Sequence, residues 1–244
     1  MFLQCVFLIS SASLISSKWI PERIVGGHSV SIDVVPWQAS ILKHGSHWCG
    51  AAIYSEDIVI TAAHCVQYAY PGAFHVRVGS AYTSFGGQVV RVSQILVHQD
   101  YDQSLSNDIA VIRLQSSLRL SDSVSSIPLA ESSPASGSPA TVSGWGAVGY
   151  HQQLSRSLLE VSVDIVDQKK CSDSYDGHIT NDMICAAAPG KDACSGDSGG
   201  PLVSNGRLVG IVSFGTDCAH PKYPGVYADV AKLKPWILKA IQRL

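Results

Sequence analysis

Three short stretches of this sequence carry side chains that together could hydrolyse an amide bond. Ser198 lies in Gly-Asp-Ser-Gly-Gly-Pro, where glycines permit a tight turn and let backbone N–H groups approach a bound carbonyl. His64 lies in Thr-Ala-Ala-His-Cys, and Asp108 precedes the apolar run Ile-Ala-Val-Ile. A serine hydroxyl is a weak nucleophile, so an adjacent imidazole must accept its proton. Each stretch alone is ordinary, since Gly, Asp and Ser are common in turns. Together they predict nucleophilic acyl transfer.

Composition and the first residues bound the class of protein. The chain has 244 residues, is 46% hydrophobic and has a formal net charge of −2, which suits one large all-β unit or two smaller ones. No basic run predicts nucleic-acid binding, and no apolar stretch is long enough to predict a membrane span. Residues 1–17 resemble a secretory signal peptide, although no Lys or Arg follows Met1. The alternative, a buried first strand, is less favoured, so we expect a secreted, extracellular protein.

The cysteines agree with export. Cys5 lies in the predicted signal, which leaves an even set of six. An even set is typical of a secreted disulfide protein, and six cysteines allow 15 pairings that spacing alone does not distinguish. Zinc binding is the alternative use of Cys and His, but the sequence contains no Cys-x-x-Cys pair. We therefore expect no metal.

Short apolar runs separated by Gly, Pro, Ser and Asn predict an all-β protein. The segment 116–139 is rich in Ser and Pro and predicts a crossing between two halves. Asp167 is the expected N-cap of a short helix, and Pro235 is the expected first residue of a C-terminal helix over about 234–244. The predicted strands are 38–42, 48–54, 57–61, 75–78, 88–97, 109–114, 140–143, 158–165, 201–203, 207–213 and 225–228.

The three stretches, in this order, make the chain from Ile24 onward resemble the trypsin-like serine proteases of the chymotrypsin family. The resemblance implies two six-stranded antiparallel β-barrels, about 24–118 and 135–230, with the active site in the cleft between them. It also implies a catalytic triad, an oxyanion hole, a serine that supports the aspartate, and no cofactor. These roles fall on His64, Asp108 and Ser198, on the N–H groups of Gly196 and Ser198, and on Ser213. The implied disulfides are Cys49–Cys65, Cys171–Cys185 and Cys194–Cys218.

The N-terminal part of the resemblance predicts a zymogen. Ile24-Val-Gly-Gly looks like the mature N-terminus of the family, and it follows a short activation peptide, 18–23, that ends in Arg23. Cutting after Arg23 would free the Ile24 ammonium, which by resemblance pairs with Asp197 and orders the loop that carries Ser198. A buried carboxylate without a partner is costly, which gives this step a physical reason.

The residues that match the family's primary pocket predict cleavage after Arg and Lys. Asp192 matches the acidic base of that pocket, and the other matching residues are Ala193, Phe214, Gly215 and Gly225. Ala193 stands where trypsins usually carry a serine, so we expect a stronger preference for Arg over Lys. Asp217 stands where the family commonly has glycine; it could attract basic substrates or narrow the entrance. Residues 79–99 contain no Asp or Glu, so we expect none of the calcium binding of vertebrate trypsins.

Three functions compete for this sequence. The first is a digestive or general endopeptidase, and the second is a regulatory protease with one narrow substrate. The third is an inactive homologue that binds without cutting, which is disfavoured because all three triad positions are filled. For the first reading, the expected partners are polypeptides with Arg or Lys before the cleaved bond and proteinaceous serine protease inhibitors. We expect a monomer.

Overall fold

The computed structural model describes residues 25–149 and 152–244. The predicted signal peptide, the activation segment with Arg23, and Ile24 lie outside the described residues. Among the residues that are described, no helix combines the length and the apolar character needed to cross a bilayer.

The described chain consists mainly of strands. The strands are β1 (His28–Ser29), β2 (Gln38–Lys43), β3 (Ser46–Ile53), β4 (Ile58–Thr61), β5 (Phe74–Val78), β6 (Gln88–Val97), β7 (Ala110–Leu114), β8 (Pro139–Gly144), β9 (Leu159–Val166), β10 (Met183–Ala187), β11 (Pro201–Ser204), β12 (Arg207–Phe214) and β13 (Gly225–Asp229). The helices are α1 (Ala63–Val66), α2 (Gln168–Ser174) and α3 (Val230–Arg243), with a 3-10 turn at Pro71–Ala73.

Two closed antiparallel barrels account for these strands, so the predicted fold class is confirmed. The first barrel has the order β2-β3-β4-β7-β6-β5. The second has the order β9-β10-β13-β12-β11-β8 and closes through β8 and β9, while β1 extends it at β9. The segment between β7 and β8 links the barrels.

Alternation along the strands determines which side chains fill each barrel. In β5, Phe74, Val76 and Val78 are buried, while the two residues between them are only partly buried. In β9, Val161 and Val163 are buried and the residues after each of them are exposed. This period of two is the geometry of a pleated strand, in which successive side chains point to opposite faces. The sequence prediction located every strand of the first barrel but missed β10 in the second.

The two predicted helices differ in outcome. α2 begins after Asp167, whose carboxylate accepts a hydrogen bond from the Lys170 N–H at 3.0 Å, so the predicted N-cap is confirmed. The predicted start of the C-terminal helix at Pro235 was wrong. α3 begins at Val230, because buried Asp229 accepts from the N–H groups of the second and third helical residues. Pro235 lies inside the helix.

Packing explains why α3 continues past Pro235. An interior proline removes one backbone hydrogen bond and disfavours the helix. Leu233, Ile237 and Ala240 lie on one face of α3 and are buried in the core that also contains the first barrel's apolar residues. Burial of these side chains offsets the loss, at roughly 25 cal/mol per Å² of apolar surface.

Candidate active site

His64 and Asp108 meet at the start of α1. Asp108 is 1% exposed and accepts three hydrogen bonds: from the His64 N–H at 2.9 Å, from His64 Nδ1 at 2.7 Å, and from the Ser213 hydroxyl at 2.5 Å. An ionised carboxylate only accepts, so Nδ1 carries the hydrogen of the neutral imidazole. His64 Nε2 is then the proton acceptor of the ring, as a general base requires.

Ser198 lies on the loop between β10 and β11 of the second barrel, and hydrogen bonds tie this loop to both barrels. Its carbonyl accepts from the Gly50 N–H of β3 at 2.8 Å, and the Gly199 N–H donates to the carbonyl of Val212 in β12 at 2.8 Å. Gly199 has φ +78°, and a Cβ there would lie 2.2 Å from the Thr61 hydroxyl oxygen. The loop therefore packs against the chain just before His64. The hydrogen bonds of the described residues do not include one between Ser198 Oγ and His64 Nε2; such bonds often shorten only when substrate binds.

Two backbone donors beside Ser198 are free. Within residues 25–149 and 152–244, neither the Gly196 N–H nor the Ser198 N–H donates to a protein group. Gly196 has φ +97°, a backbone conformation that residues with a side chain rarely adopt, which favours glycine here. Paired, fixed N–H groups of this kind stabilise the negative charge that develops on a carbonyl oxygen during acyl transfer.

His47 supports this loop, and sequence reasoning missed it. Its Nε2 lies 2.9 Å from the Gly196 carbonyl oxygen, and its Nδ1 lies 2.7 Å from the Ser40 hydroxyl. The carbonyl can only accept, so Nε2 carries the hydrogen and Nδ1 accepts from Ser40. Burial lowers the pKa of His47, although its bond to Gly196 opposes this. Nothing in the sequence marks His47 among nine histidines, because Gly196 is 149 residues away.

Asp197 is a fully buried carboxylate on the loop that carries Ser198, immediately before that residue. Its oxygens accept from the Gly146 N–H at 2.7 Å and from the Cys194 N–H at 3.0 Å. A Cβ at Gly144 or Gly146 would lie 2.2 Å from these oxygens, so glycine is needed at both positions. Burial raises the pKa of Asp197 to about 6 despite the two hydrogen bonds. No cationic side chain of the described residues forms a salt bridge with it.

The described chain begins beside this region. The Val25 carbonyl accepts from the Asp192 N–H at 3.4 Å. Gly26 has φ +69°, and a Cβ there would lie 2.5 Å from the Gly190 carbonyl oxygen. The first described residues are thus packed against the segment that leads to the nucleophile loop.

A pocket of about 230 Å³ opens beside Ser198, with Asp192 among its lining residues. Asp192 is 4% exposed; its Oδ2 accepts from the Ala219 N–H at 3.0 Å, and its Oδ1 has no hydrogen-bond partner in the described structure. Burial raises the pKa of Asp192 to about 6. A Cβ at Gly225 would lie 2.7 Å from Asp192 Oδ1 and would cover it. The arrangement can bind a long cationic side chain.

The other predicted pocket residues also line this cavity. They are Ala193, Ser213, Phe214 and Gly215, and Asp217 joins them. Phe214 packs edge-on against Tyr175, with ring centroids 5.7 Å apart, and the Tyr175 hydroxyl donates to the Pro224 carbonyl at 2.6 Å. Tyr175 was missed from the sequence, because it follows the short helix α2 and has no motif around it.

The six cysteines form the pairs Cys49–Cys65, Cys171–Cys185 and Cys194–Cys218. The first pair joins β3 to α1, the helix that contains His64, and the third joins the Asp192 segment to the pocket rim. Cys49 and Cys65 also lie within 4.8 Å of a ring nitrogen of His64. Their sulfurs are used in the disulfide, so this cluster does not offer the thiolates that a zinc site needs.

Comparisons with known proteins agree with this geometry. The family model described as Trypsin matches residues 24–237. Trypsin alpha of Drosophila melanogaster is 49% identical over 249 residues, covering 97% of each chain. Trypsin beta of Drosophila erecta is 48% identical, covering 97% of this chain and 98% of that relative. The chain belongs to the trypsin family. It is a serine endopeptidase.

A solved structure extends the likeness to three dimensions. It is that of neuropsin, described as a serine protease expressed in the limbic system of mouse brain. The TM-score is 0.84 at 36% sequence identity, with 89% of this chain and all of that chain covered. As a trypsin-family protease the chain hydrolyses peptide bonds, so polypeptides are its substrates.

Proposed function

We propose that this trypsin-family protease is secreted as a zymogen and, once cut after Arg23, cleaves polypeptides after Arg and, more slowly, after Lys. The observation that carries the specificity is Asp192. It is a buried carboxylate in a pocket beside Ser198, and one of its oxygens has no partner among the described residues. A guanidinium presents a planar fork of N–H donors, so it suits this oxygen better than a compact ammonium does.

The preference for Arg over Lys follows from Ala193. This residue lines the pocket and has no hydroxyl to accept from a lysine ammonium. An ammonium is strongly hydrated, so each donor left unpaired in the pocket costs free energy. Guanidinium is more weakly hydrated and loses less on burial.

We assign the chemistry to Ser198, His64 and Asp108. His64 Nε2 takes the Ser198 proton as Oγ attacks the substrate carbonyl carbon, and the tetrahedral oxyanion is bound by the free N–H groups of Gly196 and Ser198. His64 then gives that proton to the departing amine, which leaves an acyl-enzyme. A water molecule then attacks the acyl-enzyme carbonyl while His64 takes its proton. His64 returns that proton to Ser198 Oγ, and the carboxylic acid product leaves. Asp108 stays ionised; it fixes the ring tautomer and stabilises the imidazolium.

The zymogen proposal rests on Asp197. Its carboxylate is buried without a cation from the described residues, and burial raises its pKa to about 6. Cleavage after Arg23 would supply the missing cation, the Ile24 ammonium, because the next residue, Val25, already lies beside Asp192. The ion pair would hold the loop that carries Gly196 and Ser198. A cut after Arg requires an enzyme of this same specificity.

Secretion and a broad substrate range complete the proposal. Residues 1–17 have the pattern of a signal peptide, and three disulfides suit an oxidising compartment. We infer digestive or general proteolysis and restraint by proteinaceous inhibitors that present Arg or Lys.

A cleavage profile tests the proposal. Secreted protein is treated with a trace of immobilised trypsin, the beads are removed, and a peptide library is digested. Ser198→Ala, treated identically, controls for residual trypsin. We expect cuts after Arg, fewer after Lys, and none in the control. Arg23→Gln should stay inactive after the same treatment.

Each part of the proposal can fail separately. Cuts after other residues would overturn the role of Asp192 and leave the protease intact. Full activity of Arg23→Gln would overturn the zymogen. No cleavage by wild type, with the Arg23–Ile24 bond shown by mass spectrometry to be cut, would favour the inactive homologue.

A further inference from the structure

The pocket beside Ser198 contains a second carboxylate, Asp217. Asp192 and Asp217 both line the cavity, but Asp192 is buried and Asp217 is exposed. A substrate side chain that reaches Asp192 therefore passes the segment that carries Asp217. The two acids occupy different environments in one site, and only the buried one is needed to bind the side chain that enters.

The backbone holds Asp217 in place. Asp217 has φ +58° and Ala219 has φ +59°, and Cys218 between them is bonded to Cys194. The Ala219 N–H donates to Asp192 Oδ2 at 3.0 Å, which ties this rim segment to the base of the pocket. Asp adopts a left-handed backbone more readily than most residues, so the position tolerates this acid.

The path of the substrate next to the pocket follows from the end of β12. β11 pairs with β12 only as far as Ile211. Beyond that point the Gly199 N–H donates a hydrogen bond to the Val212 carbonyl. Gly215 makes no backbone hydrogen bond in the described structure. The edge from Ser213 to Gly215, beside Ser198, is thus open to an added strand. A substrate whose cleaved bond lies at Ser198 runs antiparallel to it, with its earlier residues toward Gly215.

Strand alternation then places the substrate's side chains. In an extended chain, residues two apart face the same side and lie about 6.6 Å apart. The residue before the cleaved bond sends its side chain into the pocket. The residue two before it therefore faces the same side, along the rim, and Asp217 lies two residues beyond Gly215 on that rim.

We propose that Asp217 selects substrates with Arg or Lys two residues before the cleaved Arg, so that the favoured sequence is basic–any–Arg. This inference rests on the proposed function and deepens it. Asp217 is exposed, so its pairing with the substrate is screened by salt. It acts on binding of the earlier basic residue, while Asp192 binds the one that enters the pocket.

Matched peptides test the proposal. Acetyl-X-Ala-Arg carrying a reporter amide is cleaved by the activated enzyme, with X as Lys, its neutral isostere norleucine, or Glu. We expect kcat/KM for Lys to exceed that for norleucine by about fivefold, as for an exposed ion pair. The ratio should fall to about 1 in Asp217→Asn and in Asp217→Gly. It should also fall as the salt concentration rises from about 0.02 M to about 0.5 M.

A control variant separates local pairing from net charge. Asp122 is exposed and does not line the pocket, so Asp122→Asn removes the same charge elsewhere. We expect the Lys-to-norleucine ratio of Asp122→Asn to match that of wild type. Binding of a labelled Lys-Ala-Arg peptide to activated Ser198→Ala should show the same pattern without depending on turnover.

The outcomes distinguish this inference from the proposed function. An unchanged Lys-to-norleucine ratio in Asp217→Asn would overturn it. So would an equal change for every X, which would mean that Asp217 acts on the pocket entrance alone. If the enzyme cuts after some residue other than Arg, the proposed specificity fails. The X-dependence measured with that residue in place of Arg then supports or overturns the role of Asp217 by itself.

Discussion

Asp108 and Asp197 are both buried carboxylates at the active site. In the described structure only Asp108 accepts hydrogen bonds from side chains. Asp108 accepts two hydrogen bonds from His64 and one from Ser213. Among the described residues, Asp197 accepts only from the N–H groups of Gly146 and Cys194. Asp192, on the same loop as Asp197, has one oxygen without a partner.

This difference separates the hydrogen bonds that the fold already provides from the cationic partners that must still bind. The His64–Asp108–Ser213 arrangement needs nothing further to fix the ring tautomer. Asp192 and Asp197 are buried without a cationic partner from residues 25–149 and 152–244, and burial raises the pKa of each to about 6. In our proposal each cation is supplied by cleavage or binding: the Ile24 ammonium for Asp197 and the substrate's Arg for Asp192. On this proposal the His64–Asp108 pair is preorganised, while activation and specificity each depend on a cation that binds later.

The largest effect should come from breaking the pairing of Asp108 with His64. Asp108→Asn keeps the shape but can present an N–H to Nδ1, which favours the wrong ring tautomer. We expect kcat to fall by about 10⁴-fold. Ser213→Ala removes one donor and leaves both bonds from His64, so it should lose much less activity. Steady-state kinetics on an Arg substrate check both variants. Equal losses would contradict the view that the His64 pairing dominates.

Removing the charge of Asp197 should have the next largest effect. Asp197→Asn cannot form the ion pair with Ile24, so the cut protein should keep the loop in its inactive state. Loss of one partner of a buried ion pair costs about 3–5 kcal/mol, which predicts a loss of about 150- to 5,000-fold in kcat/KM. Asp229→Asn is the control, since Asp229 is a buried carboxylate that caps α3. Asp229→Asn with activity as low as Asp197→Asn would point to general destabilisation.

The raised pKa of Asp197 also predicts a pH dependence of stability. Its pKa is about 6 in the fold and about 3.9 in an unfolded chain. Between these values the folded protein binds more protons, so the free energy of unfolding falls as pH rises from about 4 to about 6. For one group the loss approaches about 3 kcal/mol. Urea unfolding of uncut Ser198→Ala should show this loss.

The cut protein provides the contrast. Pairing with the Ile24 ammonium lowers the pKa of Asp197 and removes its part of the loss, while Asp192 still contributes in both forms. Cut Ser198→Ala should therefore be less sensitive to pH over the same range than the uncut protein. Identical pH profiles of the unfolding free energy before and after the cut would contradict the ion-pair proposal.

The residues of the site also differ in how far their roles can be predicted from the sequence. Ser198, His64 and Asp108 lie in short motifs, because the turn, the apolar strand and the reactive side chain are adjacent in the chain. The strands of the first barrel were likewise readable from apolar runs. The role of His47 depends on a carbonyl 149 residues away, so no local pattern predicts it. Sequence also gives no sign that Asp192 Oδ1 lacks a partner, since that depends on how the rim segment folds.

Local rules failed where packing outweighed them. Pro235 is a favourable first helical residue, and this preference placed the helix start too late. Asp229 caps the helix earlier, and buried Leu233 and Ile237 carry it through the proline. β10 was missed because its run Met-Ile-Cys-Ala-Ala resembles a buried segment of any kind.

Binding of a small amidine tests whether the carboxylate of Asp192 pairs with a cation that enters the pocket. The amidinium needs the ionised carboxylate, and burial raises the pKa of Asp192 to about 6. The dissociation constant should be constant above about pH 7 and rise by about tenfold for each pH unit well below 6. Calorimetry on cut Ser198→Ala avoids turnover. Asp192→Asn should bind weakly and report any pH effect that does not come from Asp192; the same pH profile in that variant would contradict the assignment.

The smallest predicted effect concerns the wall of the same pocket. Ala193→Ser adds a hydroxyl that can accept from a lysine ammonium, which has donors to spare after pairing with Asp192. One such hydrogen bond contributes about 1 kcal/mol, so kcat/KM on Lys substrates should rise by about fivefold relative to matched Arg substrates. Ala193→Val is the control, because it fills similar space without an acceptor and should not raise the Lys-to-Arg ratio. If wild type already cleaves Lys and Arg substrates equally, the missing hydroxyl does not set the preference. The preference of the pocket for basic side chains would then depend on Asp192, whose Oδ1 has no partner in the described structure.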